Sequence, residues 1–173
     1  MHFRTLSFAI VLVVLPVVAQ SGQQATTLAQ LFGQEAIIRT AQQNRFNAST
    51  VLPNCYTYAV ERGDPQTGAS VTLSKLAAGC EVPWHTHSAN AHVLFVSGTF
   101  QLQMKGQPLQ LLTQGSYAYV PANHQHEESC LNGCTYYVIR DGATDVRYVD
   151  PAGKEISAEA ALVVVSEHPG SHN

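Results

Sequence analysis

The stretch that decides the fold is VPWHTHSANAHVLFVSGTF, residues 82–100. It places three of the chain's eight histidines within eight positions, between short runs of apolar and β-branched residues. On a β-strand, the side chains at positions i and i+2 point to the same face. His85 and His87 therefore project together from one face of a predicted strand.

A second histidine pair follows in GSYAYVPANHQHEESC, residues 115–130. His124 and His126 repeat the i, i+2 spacing in a chain that otherwise has few histidines. One such pair is often only a polar surface feature, whereas two pairs on different strands favour a shared site. Three imidazoles that converge inside a barrel would bind a metal ion and leave coordination positions open.

Length and composition indicate one globular domain. The chain has 173 residues, of which 45% are hydrophobic and 12% charged, and its formal net charge is −3. That length is enough for a sizeable core. Because the sequence contains no basic patch, we expect no nucleic-acid partner.

The N-terminal segment has the pattern of a secretory signal peptide. In residues 1–19, Arg4 supplies a positive charge, an apolar run extends from Leu6 to Leu15, and Ala19 is a small residue at the cleavage position. The alternative is an N-terminal membrane anchor, but the apolar run is shorter than the ~20 residues that a span requires. We expect a secreted protein, extracellular or luminal, that has no membrane association after cleavage.

The residue pattern changes near residue 55, where short runs rich in Val, Tyr, Thr and Leu begin to alternate with turn residues. Evenly spaced short strands predict an all-β sandwich or barrel. Asn132-Gly133, between two apolar runs, favours a two-residue hairpin. The predicted strands are 55–61, 70–76, 82–87, 91–97, 99–104, 108–112, 116–120, 125–131, 134–140 and 145–149.

Helical patterns occur outside this region. Apolar spacing over residues 27–46, with Thr27 as a cap, predicts an N-terminal helix or two short ones. The tail is expected to hold a short helix near 157–162 and a last strand at 162–165. The predicted division is a signal peptide at 1–19, a helical extension at 20–54, a barrel at 55–150 and a C-terminal tail at 151–173.

Two motifs carry a family resemblance. Gly79, five residues, His85-x-His87 and then Gly98 resemble the first motif of the cupin superfamily. Gly115, five residues, Pro121-x-Asn123, two residues and His126 resemble the second motif. The resemblance covers about residues 60–150 and is similar to small secreted single-domain cupins. It implies a jelly-roll barrel, of the type called RmlC-like, with a divalent metal ion inside.

The resemblance also implies the metal ligands, which in this superfamily are three histidines and a glutamate. Carried over to this chain, the histidines are His85, His87 and His126. The glutamate position is Ala91, which cannot ligate a metal. His92 is adjacent, but strand alternation points it to the opposite face unless a bulge turns it inward.

A site of three neutral imidazoles leaves the full charge on a divalent ion, so it should favour anionic and chelating ligands. Iron, manganese, zinc, copper and nickel are all compatible with these ligands. Any proton transfer would need a group other than the missing glutamate. The candidates for a catalytic role are His92, His124 and Tyr119, with Tyr117 and Glu127 also near in sequence, although strand packing alone also explains the tyrosines.

The favoured function is that of a metal-dependent oxidoreductase of dioxygenase type, acting on a small oxygenated organic molecule. One alternative keeps the metal but assigns a hydrolase, lyase or isomerase activity. Another is a binding cupin without enzymatic activity, in which Ala91 marks a degenerate site. The outward positions Leu94 and Val96 are apolar, which suggests cover by the N-terminal segment or by a second copy in a homodimer.

The four cysteines fit an oxidising compartment and allow three pairings. In a two-residue hairpin Cys134 would face outward and Cys130 inward, which argues against a bond between them. Cys130 would then be a thiol near the metal, a small buried hydrophobe, or a disulfide partner of another cysteine. Asn47-Ala48-Ser49 is a possible glycosylation acceptor.

Overall fold

The computed structural model describes residues 27–33 and 35–167, with side chains in the last helix described as far as residue 163. The predicted signal peptide lies outside the described residues. The strands, in chain order, are β1 Asn47–Ala48, β2 Tyr56–Gly63, β3 Ser70–Leu76, β4 Cys80–Thr86, β5 Ala91–Ser97, β6 Phe100–Met104, β7 Gln110–Leu112, β8 Tyr117–Val120, β9 His126–Cys130, β10 Cys134–Arg140 and β11 Arg147–Tyr148.

These strands form two antiparallel sheets. The larger has the order β1-β2-β3-β10-β5-β8, and the smaller has the order β11-β4-β9-β6-β7. Their inner faces meet in one apolar core, in which the rings of Phe95 from one sheet and Phe100 from the other lie 4.9 Å apart. This architecture confirms the predicted all-β jelly roll.

Strand β5 shows how the alternation predicted from sequence divides the two faces. Its residues Ala91, Val93 and Phe95 are buried in the core, whereas Leu94 and Val96 are about two-fifths exposed. Since β5 lies between β10 and β8, its inner face lies deep in the molecule. The first residue on that face is Ala91.

Strand β4 contains a β-bulge that shifts its alternation. Val82 pairs with Glu128 of β9, but the register then shifts by one residue so that His85 pairs with His126. Val82 lies in the apolar core before the bulge, and His85 is buried after it, three positions further along the strand. The extra residue turns His85 inward, because a shift of one residue moves every following side chain to the other face.

The predicted hairpin at Asn132-Gly133 is wrong. Strand β9 belongs to the smaller sheet and β10 to the larger, so this turn connects two sheets. It packs on the preceding turn, where the Thr99 backbone N–H donates to the Asn132 side chain over 2.7 Å.

The expectation that Cys130 and Cys134 do not pair is also wrong, because it depended on that hairpin. The structure has disulfides between Cys55 and Cys80 and between Cys130 and Cys134. Where the chain passes between sheets, both cysteine side chains can point inward, and both are buried. Cys130 is therefore a disulfide partner and not a free thiol near the histidines.

The N-terminal segment contains two short helices, α1 at Leu28–Leu31 and a 3₁₀ turn at Ala41–Gln43, followed by β1. Thr27 caps α1 through a capping box, as its position suggested. The predicted last strand at 162–165 is wrong, because α2 runs through it at Ala158–Glu167. The helix packs on β4 and β11 and buries Ala161, so tertiary contact outweighs the β-preference of the valines.

Among the described residues, no helix combines the length and the apolar character needed to cross a lipid bilayer.

Candidate metal centre

Three imidazoles meet in the interior at one end of the β4–β9 pair. His85, His126 and His87, which directly follows β4, are buried, and one ring nitrogen from each lies within 4.8 Å of the others. The ring centroids of His85 and His126 are 4.2 Å apart, and that of His87 lies 4.8 Å from the first and 5.2 Å from the second. The structure thus brings together the three histidines that the motifs single out.

Each of the three rings is oriented by the backbone. In each, Nδ1 lies at hydrogen-bonding distance from a carbonyl oxygen, and a carbonyl can only accept, so Nδ1 must carry the proton. The unprotonated Nε2 atoms are then the ones available to a ligand. The bonds run from His85 to Pro83 over 2.7 Å, from His126 to His124 over 2.9 Å, and from His87 to Asp145.

Burial also keeps these rings neutral. It lowers the pKa of His85 and His87 well below the ordinary value, with further lowering by neighbouring rings and by Arg140. Burial lowers the pKa of His126 to about 4. Neutral imidazoles with a fixed tautomer are what a metal ion requires, because a protonated ring has no lone pair to offer.

These observations fit a divalent cation. Three neutral nitrogen donors that converge in a buried pocket suit iron, manganese, zinc, copper or nickel. The residues that could hold such an ion are His85, His87 and His126. Nothing in this donor set selects one of these metals.

Ala91 lines the same pocket at the position where the resemblance implies a glutamate. It is buried, and its direct partner on the neighbouring strand is Arg140 at the end of β10. Arg140 donates from Nη2 to Nε2 of His87 over 3.2 Å. An arginine thus lies at the edge of the histidine cluster, beside the alanine.

Sequence reasoning missed Arg140 and Glu128, both of which line this pocket. Glu128 follows His126 by two positions on β9, so the same alternation that paired the histidines also placed it inside. Burial raises the pKa of Glu128 to about 7, against the opposing effect of the Arg140 charge. The same i, i+2 alternation on β10, starting from the buried residues Tyr136 and Val138, predicts that Arg140 also points inward.

Two tyrosines complete this polar interior. The Tyr56 hydroxyl lies 2.7 Å from the Ser74 hydroxyl, and burial raises the pKa of Tyr56 to about 12. Burial also raises the pKa of Tyr136, whose hydroxyl faces Glu128. Both tyrosines therefore stay protonated at neutral pH and act as hydrogen-bonding groups.

The histidine pocket opens toward a larger cavity. The inner pocket holds about 30 Å³, room for about one water molecule, and the outer cavity holds about 420 Å³. The outer volume suits a small organic molecule. The residues that line both spaces are Leu52, Tyr56, His87, Val138 and Arg140.

The catalytic candidates chosen from sequence lie elsewhere. His92 is on the outer face of β5, where its Nδ1 lies 2.7 Å from the Tyr117 hydroxyl. Tyr119 is 47% exposed and donates to the Asn90 side chain over 3.1 Å. His124 accepts the bond from His126 through its backbone carbonyl. None of the described atoms of His92, Tyr117, Tyr119, His124 or Glu127 lines either cavity.

The chain matches a family model over residues 34–143, and that family is described as the ChrR cupin-like domain. No curated protein matches the chain in sequence.

Solved structures share the fold at low sequence identity. The polyketide cyclase RemF from Streptomyces resistomycificus has a TM-score of 0.62 and 13% identity, over 78% of this chain and 95% of that one. An RmlC-like cupin protein from Ralstonia eutropha JMP134 has a TM-score of 0.56 and 20% identity, over 78% and 89%.

The DMSP lyase DddQ from Ruegeria pomeroyi DSS-3 has a TM-score of 0.51 and 19% identity, over 68% of this chain and 62% of that one. This chain therefore spans less than two thirds of that lyase. At sequence identities this low, the similarity to these structures establishes a shared fold and nothing about activity.

Proposed function

The chain belongs to the family of ChrR cupin-like domains, within the cupin superfamily. We propose that it is a metal-dependent oxidoreductase of dioxygenase type that acts on a small oxygenated organic molecule. The observation that carries the proposal is the set of three buried, neutral imidazoles, one nitrogen of each lying within 4.8 Å of the others. With Ala91 in the place of a carboxylate, a bound divalent ion would keep its full charge. It would also keep positions for two further ligands, such as an organic oxygen donor and dioxygen.

The protein's own residues divide the remaining work. His85, His87 and His126 would hold the ion, with the carbonyl of Pro83 fixing the orientation of the first ring. The outer cavity would bind the organic substrate, and its apolar wall at Val138 and Leu52 would limit the access of water. The narrow inner pocket would allow only the reacting end of the substrate to reach the histidines.

The test is metal analysis of natively purified protein together with a dioxygen-uptake screen. We expect close to one metal ion per chain and dioxygen consumption in the presence of small enolizable or hydroxylated compounds. Less than about one-tenth metal per chain, even after reconstitution, would instead support a binding cupin without enzymatic activity. Full turnover in metal-free protein would contradict the proposal.

A second candidate is a metal-dependent lyase, hydrolase or isomerase. Its specific support is Glu128, whose carboxyl group lines the same pocket as the three histidines and could exchange a proton with a substrate bound there. The names of the cyclase and of the lyase that share this fold agree with such chemistry. Turnover that is unchanged under strict anaerobiosis, and lost in Glu128→Gln, would support this candidate over the oxidoreductase.

We also propose that the protein is secreted. All four cysteines of the chain form two disulfides, which persist in oxidising compartments, and this agrees with the signal peptide predicted at residues 1–19. Fractionation of the source culture tests this, with the mature chain expected outside the cytoplasm and beginning after Ala19. An intact N-terminus on cytoplasmic protein would contradict it.

A further inference from the structure

We propose that the substrate of this site carries a carboxylate group, and that the Arg140 guanidinium binds that carboxylate beside the histidine cluster. This inference rests on the proposed metal site, but it concerns which molecules the site accepts and not which reaction follows. It assigns to Arg140 the role of a substrate-binding residue.

The first observation is the unused hydrogen-bonding capacity of Arg140. Its Nη1 is buried and has no hydrogen-bond partner among the described residues. Its Nη2 donates to Nε2 of His87, and the lone pair of that nitrogen is the one that a metal ion would use. Once that lone pair is taken, both terminal nitrogens of the guanidinium are left to bind something else. Two parallel N–H donors match the two oxygens of a carboxylate.

The second observation is that, among the described residues, no carboxylate lies within ion-pair distance of Arg140, and the charge of Glu128 acts on it only at longer range. The ion pairs among the described residues join Arg39 to Glu61 and Arg147 to Asp145, and neither includes Arg140. Glu128 lies in the same pocket but forms no ion pair with the guanidinium. A partly buried cation of this kind attracts an anion from outside, because the low dielectric of the interior strengthens the attraction.

The third observation concerns the residue opposite Arg140. Ala91 is its direct partner on β5, and directly paired side chains on one face of a sheet are close neighbours. A glutamate at this position would place its own carboxylate beside the guanidinium. Alanine leaves that space open, so the carboxylate of a ligand can occupy it. Alanine in place of glutamate at position 91 thus removes a metal ligand and also leaves room for an anion.

The cavity itself sets the size and character of the rest of the ligand. Among the described residues, Arg140 is the only side chain with a permanent charge that lines the outer cavity of about 420 Å³. Apart from the His87 imidazole, the other walls are apolar or carry neutral hydroxyl and amide groups, such as Tyr58, Gln66 and Val146. A small organic acid, anchored at Arg140 with its body in the outer cavity, fits this distribution.

The experiment is isothermal titration calorimetry with zinc-loaded protein, since zinc is redox-inert and permits binding without turnover. The probes are two matched pairs, salicylate with salicylamide and pyruvate with pyruvamide. We expect at least one acid to bind ten-fold or more tightly than its amide, because a hydrogen bond to a charged partner is stronger than one to a neutral partner. In Arg140→Gln this acid-to-amide ratio should fall several-fold, to the preference that the zinc charge gives by itself, and in Arg140→Lys it should be intermediate.

Position 91 gives an independent pair of variants. Ala91→Glu supplies an internal carboxylate beside Arg140 and should abolish the preference for the acid. Ala91→Gln has nearly the same size without the charge and should retain that preference. If Arg140→Gln does not fold, the reduced ratio in Arg140→Lys decides the question, because Ala91→Glu would also supply a metal ligand.

Two results would overturn the inference: wild-type protein that prefers neither acid over its amide, or a preference of unchanged size in Arg140→Gln. Neither result depends on dioxygen consumption. A protein that binds acids through Arg140 but consumes no dioxygen would sustain this inference while contradicting the oxidoreductase. Dioxygen consumption without Arg140-dependent binding would do the reverse.

Discussion

The two ends of the β4–β9 pair contrast in composition although they belong to one continuous ladder. At one end Cys80 pairs with Cys130, and at the other His85 pairs with His126. The cysteine end is closed, because both cysteines are bound to others and the surrounding side chains form the apolar core. The histidine end opens into a cavity.

The contrast shows that the stabilising disulfides lie at one end of this pair of strands and the ligand-binding pocket at the other. The Cys130–Cys134 disulfide joins β9 of the smaller sheet to β10 of the larger, and Cys55, in the turn directly before β2 of the larger sheet, is bonded to Cys80 of β4. Both disulfides therefore hold the sandwich together at the closed end. The open end has polar groups that the core would not tolerate unless they were hydrogen-bonded. The bulge in β4 separates the two ends, and changes at one end should leave the other unaffected.

The largest expected effect is the loss of metal when a histidine at the open end is removed. His85→Ala and His126→Ala each leave two donors, which is too few for a stable site, so metal content should fall from near one ion per chain to below about one-tenth. Elemental analysis of the purified variants measures this. Retention of a full equivalent of metal in either variant would show that these histidines are not the ligands.

The next effect is at the closed end, where Gly98 has φ +90° and lies against the turn at Gly133. A Cβ at position 98 would come within 2.3 Å of the Gly133 carbonyl oxygen, which is backbone and cannot move aside cheaply. Gly98→Ala should therefore lower the free energy of unfolding by about 3 kcal/mol or more. Denaturant titration checks this. Gly106→Ala is the matched control, since its φ is also positive but no atom lies within 4 Å of the added group.

Removal of the disulfides should lower the free energy of unfolding by a similar amount or less, graded by loop length. Cys55 and Cys80 are 25 residues apart, and Cys130 and Cys134 are 4 apart. In the chain-entropy description, Cys55→Ala with Cys80→Ala should cost about 3.5 kcal/mol of stability, and the other double variant about 2 kcal/mol. Both variants should keep the metal content of the wild type. Loss of metal on removing either disulfide would break the proposed separation of the two ends.

The pH dependence of metal-free protein probes the open end alone. The folded-state pKa of His126 is lowered to about 4, whereas the unfolded value is 6.5. Between these values the unfolded chain holds this proton more tightly, so the contribution of His126 to stability is full above pH 6.5 and is lost as pH falls toward 4. His85 and His87, whose pKa values are also lowered, act in the same direction, whereas Glu128, with its pKa raised to about 7, acts in the opposite direction. For His126 alone, each step of one pH within that interval lowers the free energy of unfolding by up to about 1.4 kcal/mol. Thermal unfolding from pH 8 to pH 4 measures the decline, and His126→Asn should make it shallower.

The smallest effect is expected on the outer face of β5. His92→Ala removes a hydrogen bond to Tyr117 at the surface and should change stability by less than about 0.5 kcal/mol. Metal content and turnover should equal those of the wild type. A loss of turnover in this variant would return His92 to the set of catalytic candidates.

Much of the fold followed from local pattern. Strands β3, β5 and β10 have the bounds predicted from alternation, since each is a half-buried strand with clear turn residues at its ends. Part of the site could also be predicted, because the sequence itself contains the two histidine pairs, and the motif resemblance identifies Ala91 as the position that lacks the acid. Alternation also placed Glu128 in the interior, but a single carboxylate beside two histidines gave no reason to select it.

What the sequence by itself determined was the β-rich architecture and the three histidines of the site, because strand periodicity and motif spacing are properties of neighbouring residues. Only the tertiary structure decided that the chain crosses between sheets at Asn132-Gly133, that Cys130 pairs with Cys134, and that Arg140 lies opposite Ala91. Each of these depends on which strands become neighbours. That choice is made by burial of the whole core at once, and no local stretch of the chain contains it.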